Sequence, residues 1–290
     1  MALKRKFFKT NHVLSSFITA FTNRVIAREG DIFNKKLLDR AAKLAVKDLK
    51  RIQIKDTFLY PNFVSLLEKE KYQFITDFGV ISENILNLLG HIELNEKILD
   101  ELAWMRDNYI YNYHHTIASS ALSTRLALDY FMDEDVAMEV AESSLVKDIG
   151  FGHIAKDVVN KTGRLSKREQ LLLQEHPMYS ALLIAHYYGE YKILPVEIAL
   201  NHHEDKLGQG YPRGVIAGRI ELHIVKFADT FDALITARPF RSYFDLEDAF
   251  MISEAEIKLG NLDASLLPLI RSYHINFKTF FNKDEKMALL

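Results

Sequence analysis

There is no cysteine among the 290 residues, which excludes disulfides and thiolate-held metal sites. Proline and glycine are scarce, at 6 and 12, so few positions are obliged to interrupt a helix. No stretch approaches the roughly eighteen uninterrupted apolar residues of a membrane span, and none is expected. The first eight residues are basic, as in a signal peptide. Residues 9–22 are broken by polar side chains, however, and offer no clean apolar run before a small-residue cleavage site. A cytoplasmic protein is therefore expected. An excess of one charge is missing too. With 37 basic and 39 acidic residues the formal net charge is -2, and no overall field draws in a nucleic-acid polymer.

What is present is apolar material, 48% of the chain, mostly in helical spacing. Leu37, Leu38, Ala41, Leu44 and Ala45 follow the three-and-four pattern of an amphipathic helix, and so do Leu14, Phe17, Ile18, Phe21 and Val25. The pattern lapses over residues 55–63, where a loop or short extended piece is expected. Residues 82–90 read as a helix stopped by Gly90. From about residue 95 nearly everything reads as helix. The expected fold is all-α, with a smaller, mostly helical N-terminal region over 1–95 and a larger helical bundle over 96–290. The N-terminal part is read as a regulatory or dimerisation module, which would make the protein a homodimer.

Local punctuation refines the bundle. Gly150 is read as the C′ glycine closing a helix. Ser166 and Glu169 match a capping box, and Pro195 suits the first turn of a helix that runs to His202 and His203. Residues 218–236 read as a helix that is apolar on both sides, which marks a buried element. Asp229 lies within it, between Val225 and Ala233. A bare carboxylate there would cost about several kcal/mol unless paired or metal-bound. Asp229 is then a salt-bridged structural residue, a metal ligand or, against the pattern, exposed.

Histidine is the commonest neutral metal ligand, and aspartate can bridge two ions. His12, His91, His186, His223 and His274 lack acidic or histidine company and are read as ordinary core or surface residues. His114, His115, Asp148, His176, His202, His203 and Asp229 differ. Each lies in or at the end of an expected helix, and helix ends can converge in a bundle. Spacing alone does not decide whether they do.

The order of these residues carries a resemblance. "HTIASSALSTRLA", "KDIG", "KTGRLSKRE", His176, "HHE", "GQGYP" and "FADTFDALITARPFR" follow one another over residues 110–245. Together they resemble the HD-GYP family, a branch of the HD phosphohydrolase superfamily. The resemblance implies an all-helical domain with a two- or three-metal centre that hydrolyses cyclic di-GMP, or a related cyclic dinucleotide, to linear pGpG or to GMP. It implies His115, Asp148, His176, His202, His203 and Asp229 as ligands of two divalent ions, with Asp148 bridging. Iron is the first expectation, and manganese, zinc or nickel also suit such donors. Asp148, position 147 and Tyr211 fall at the catalytic positions. Arg213, Arg238 and Arg241 could bind phosphate with their forked donors, or could form ordinary ion pairs. The Gly210-Tyr211-Pro212 loop would shape the pocket mouth and could meet a signalling protein.

The sequence departs from that family at several points. Position 147 is lysine where the family has the histidine that names it. A protonated ammonium has no lone pair and cannot ligate a metal. Three placements are open for Lys147. It lies beside a first metal held by His115, Asp148 and Asp229, it replaces that metal as a cation, or it points into solvent. In the second case one ion binds. Phe151 stands where the family has a lysine, and Leu207 where it has an aspartate. Tyr111 replaces the glutamate of three-metal members, so no third metal is expected. His114 points about 100° away from His115 around the helix. These departures keep a second reading open, a degenerate domain that binds nucleotide or a partner without hydrolysis.

Overall fold

In the computed structural model, residues 12–77, 79, 81–237 and 243–287 are described, with the side chains of the last helix described to residue 279. The chain begins with pairing rather than coiling. β1 (His12–Val13) pairs antiparallel with β4 (Ile32–Phe33), and β2 (Ile18–Thr19) pairs with β3 (Val25–Ala27). The helix expected from Leu14 to Val25 is therefore not formed. The stretch is rich in β-branched side chains, and the chain reverses at Asn23, whose φ of 59° is a left-handed conformation that asparagine tolerates. Leu14, Ile18, Ala20 and Ile26 are buried, whereas Phe17, Phe21 and Val25 are exposed.

α1 (Lys35–Lys43) forms as its spacing predicts, capped by Asn34, with Leu37, Leu38 and Ala41 buried. After β5 (Arg51–Gln53) and a 3-10 turn, α2 (Leu59–Leu67) occupies ground expected to be loop. Pro61 sits in its first turn, where the missing N–H would have had no helical partner. α3 (Ser82–His91) runs through Gly90 instead of stopping there. β6 (Glu93–Asn95) then pairs antiparallel with β5.

The remainder is helical, as expected. α4 (Glu96–Asn108), α5 (Ile110–Phe131) and α6 (Glu134–Val146) come first. The short α7 (Lys156–Val159) and α8 (Lys167–Leu173) follow, the latter with the expected capping box of Ser166 and Glu169. α9 (His176–Tyr188), α10 (Leu194–Asn201) and α11 (Ile220–Ile235) complete the centre of the bundle. α12 (Leu246–Lys258) and α13 (Leu267–Met287) close the described chain. The fold is all-α, with its short strand pairs confined, among the described residues, to the part before residue 96.

Small side chains let the central helices approach closely. Ser120, Ser123 and Ser144 are fully buried between α5 and α6, where Ser120 Oγ donates to Ala141 O at 2.9 Å and Ser123 Oγ to Ser144 Oγ at 3.1 Å. Buried hydroxyls are tolerated because each has a partner. One apolar cluster runs from Leu14 to Tyr273, so the N-terminal strands and the bundle share a core. No described helix is long and apolar enough to cross a membrane.

Candidate metal centre

His115 comes from α5, Lys147 and Asp148 follow α6, and His176 opens α9. His202 and His203 end α10, and Asp229 comes from α11. Residues far apart in sequence thus meet at one point. Gly150 helps to bring them there. It lies in the 3-10 turn Ile149–His153 and is not the C′ glycine expected from the sequence. A Cβ at this position would meet His176 O at 2.3 Å and Ser180 N at 2.5 Å, so the turn rests directly on α9 and carries Asp148 to His176.

The three imidazoles form one half of the centre. Nδ1 of His176 lies 2.7 Å from Leu173 O, and Nδ1 of His202 lies 2.9 Å from Ala199 O. A carbonyl only accepts, so both Nδ1 atoms donate, and in the neutral ring Nε2 keeps its lone pair. Those Nε2 atoms stand 3.3 Å apart, and His203 Nε2 is 3.2 Å from His176 Nε2. Asp148 Oδ1 is 3.4 Å from His176 Nε2 and 3.5 Å from His202 Nε2. Burial lowers the His176 and His203 pKa values, that of His203 to well below the usual range. With Nδ1 donating to the backbone, the Nε2 atoms of His176 and His202 turn toward Asp148 Oδ1. Three nitrogens and a carboxylate oxygen fit a divalent transition-metal ion by donor type.

The other half is built differently. His115, Asp148 and Asp229 bring ligand atoms within 4.8 Å of one another, but Lys147 is among them. Its side chain is fully buried, which rules out the solvent placement. Nζ lies 2.9 Å from Asp229 Oδ1 and donates to Asp148 Oδ2. His115 Nε2 lies 2.9 Å from Asp229 Oδ1, and its Nδ1 lies 2.6 Å from Asp232 Oδ2. Ionised carboxylates only accept, so both ring nitrogens donate and the ring is an imidazolium. Burial alone would lower the His115 pKa, but Asp229 and Asp232 raise it to about 9. Burial would likewise raise the carboxyls of Asp148 and Asp229, yet Lys147 holds both well below the usual range.

Aromatic rings cover the cluster. Phe151 stacks on His176 with centroids 4.1 Å apart, and Tyr211 stacks on His203 at 4.4 Å. Tyr111 lies parallel to His115 at 6.1 Å. A Cβ at Gly210 would meet His203 O at 2.2 Å, so the Gly-Tyr-Pro loop rests on the histidine backbone. Glu204 holds that loop by accepting from Arg213 N at 2.7 Å and Val215 N at 3.0 Å. The Arg213 guanidinium donates to Asn201 rather than to the cluster. Arg238 and Arg241 lie outside the described residues. His114 and Leu207 are exposed.

Sequence reasoning assigned no role to Asp232, Glu204 or Tyr72. Asp232 orients His115, and Tyr72 of the N-terminal region donates to Asp232 Oδ1 at 2.5 Å. A signal for Asp232 was available, because it follows Asp229 by three residues on a helix apolar on both sides.

Comparison with known proteins identifies the family. The family model described as an HD domain matches residues 93–266, and the chain belongs to that family. It is 31% identical over 162 residues to the 3'3'-cGAMP-specific phosphodiesterase 1 of Vibrio cholerae, covering 55% of this chain and 37% of that one. It is also 31% identical over 187 residues to a cyclic di-GMP phosphodiesterase of Thermotoga maritima, covering 64% of this chain and 48% of that one. The chain thus spans less than half the length of these two relatives. A solved HDG"Y"P protein of Bdellovibrio bacteriovorus, Bd1817, aligns with a TM-score of 0.46 and 17% identity over 95% of this chain and 98% of that one.

Proposed function

We propose that this chain is a metal-dependent phosphodiesterase of HD-GYP type that hydrolyses a cyclic dinucleotide. The observation that carries the reading is the convergence of the His176, His202 and His203 ring nitrogens at one buried point, with Asp148 Oδ1 beside two of them. The printed activities of the relatives supply the substrate class. His176, His202, His203 and Asp148 would hold a divalent ion, with iron first and manganese next. An ion held there would supply a lowered pKa, toward about 7, for a coordinated water and a sink for charge on a phosphate oxygen.

The protein's own side chains do the rest. The Nδ1 donations of His176 and His202 to backbone carbonyls fix the rings with Nε2 inward. Lys147 and His115 offset the buried carboxylates, which would otherwise repel an incoming phosphodiester. Phe151 and Tyr211, stacked over two of the ligand rings, limit the entry of bulk water and offer flat faces to a base.

The test uses the full chain, stripped with chelator and reloaded with Fe²⁺ without oxygen, or with Mn²⁺. Cyclic di-GMP and 3'3'-cGAMP are added, and products are separated by chromatography. A linear dinucleotide or mononucleotide is expected, and its formation should stop in His202→Ala. No product from either substrate would overturn the proposal. Lys147 motivates a second reading, binding without hydrolysis, since an ammonium cannot generate hydroxide. Retention of both nucleotides without product formation would favour it.

A further inference from the structure

We propose that Lys147 is a built-in cation of this centre, so that the chain holds one divalent ion where the family resemblance implies two. The inference rests on the metal-dependent reading above only for the ion at the three imidazoles. Lys147 Nζ bonds Asp148 Oδ2 and stands 2.9 Å from Asp229 Oδ1. An ion shared by those two oxygens would need the volume that Nζ fills. The side chain is fully buried and has no solvent to retreat into.

The remaining ligand of that half is committed as well. His115 spends both ring nitrogens on carboxylates, one on Asp229 and the other on Asp232. It offers no lone pair to a metal in this arrangement. Asp229 Oδ1 accepts from Lys147 and from His115 together. The imidazole half is the opposite case, since His176 and His202 commit only Nδ1, to backbone carbonyls, and turn Nε2 toward Asp148 Oδ1.

Charge points the same way. A second ion in that half would face the Lys147 ammonium inside a buried site, where like charges are screened least.

The test counts metal and needs no substrate. The full chain is stripped, dialysed against Mn²⁺ and analysed by elemental mass spectrometry and by electron paramagnetic resonance. Wild type should hold one manganese ion per chain, with the six-line signal of an isolated ion. Lys147→His should double the count and give the spectrum of a coupled pair. His115→Ala should keep the single ion, and His202→Ala should lose it. Two ions in wild type, or a coupled-pair spectrum, would refute the proposal. So would loss of the ion in a folded His115→Ala. The wild-type count and spectrum decide even if Lys147→His fails to fold. One ion without turnover leaves this inference standing and removes hydrolysis, whereas turnover with two ions does the reverse. No bound metal at all removes both.

Discussion

Replacing Lys147 by methionine removes the charge and keeps most of the length. In wild type the ammonium joins two carboxylates that are only 2% and 8% exposed. Removing one member of a buried ion pair costs about 3–5 kcal/mol, because the other charge stays behind uncompensated. His115 still faces Asp229 in the variant, so the lower end, about 3 kcal/mol, is expected. That is a large share of a domain stability of about 5–15 kcal/mol. The assay is urea unfolding followed by circular dichroism, in chelator and again in Mn²⁺. In chelator Lys147→Met should be the less stable protein by that amount. In Mn²⁺ the gap should narrow, because an ion can enter the space between Asp148 and Asp229 once Nζ has gone. Binding at a hundred times the Kd adds about 2.7 kcal/mol. On the proposed reading wild type and variant both gain from an ion at the imidazoles, so the quantity to compare is the extra gain in the variant. If Lys147→Met matches wild type in chelator to within about 1 kcal/mol, the ammonium is not what satisfies these carboxylates and the reasoning fails.

Three further outcomes follow from other contacts. Glu101 is 2% exposed and accepts from Tyr187 Oη at 2.5 Å, and burial pushes its carboxyl up to about 8. The folded chain then keeps this proton from pH 4.5 to about 8 while the unfolded chain has lost it, so the Glu101 contribution to stability falls as pH rises through that window, by on the order of 5 kcal/mol in all. Glu101→Gln should match wild type near pH 4.5 and gain on it steadily toward pH 8 in urea titrations, and parallel curves would contradict the assignment. His202→Ala should weaken metal binding at least about tenfold in equilibrium dialysis, since it deletes one of the three imidazoles grouped there. Gly150→Ala places a methyl 2.3 Å from His176 O and should destabilise the fold by about 1–3 kcal/mol, with weaker metal binding because Asp148 moves off His176; an unchanged metal Kd would show that the turn does not position Asp148.

The donors were legible in the sequence because their types are costly to bury without a purpose. His176, the His202–His203 pair and Asp229 stand at helix ends or on an apolar stripe, and each is found in the cluster. The strand pairs before residue 34 were not legible. Strands of two or three residues are too short to show alternation, and Leu14 to Val25 happen to fall at helical spacing. The role of Asp232 depended on which way α5 turns His115, and the contact of Tyr72 on how residues 70–76 lie against α11. Neither is a local property. Lys147 is the instructive case, because the sequence left it three placements. Its neighbours Leu145, Val146 and Ile149 are, like Lys147 itself, fully buried, so the end of α6 has no solvent side for it to reach. A buried ammonium keeps its charge only where carboxylates hold it, and Asp148 and Asp229 are the two within reach. Burial and pairing together are therefore the ground for the substitute-cation placement proposed above, a physical constraint that no reading of neighbouring residues along the chain could have applied.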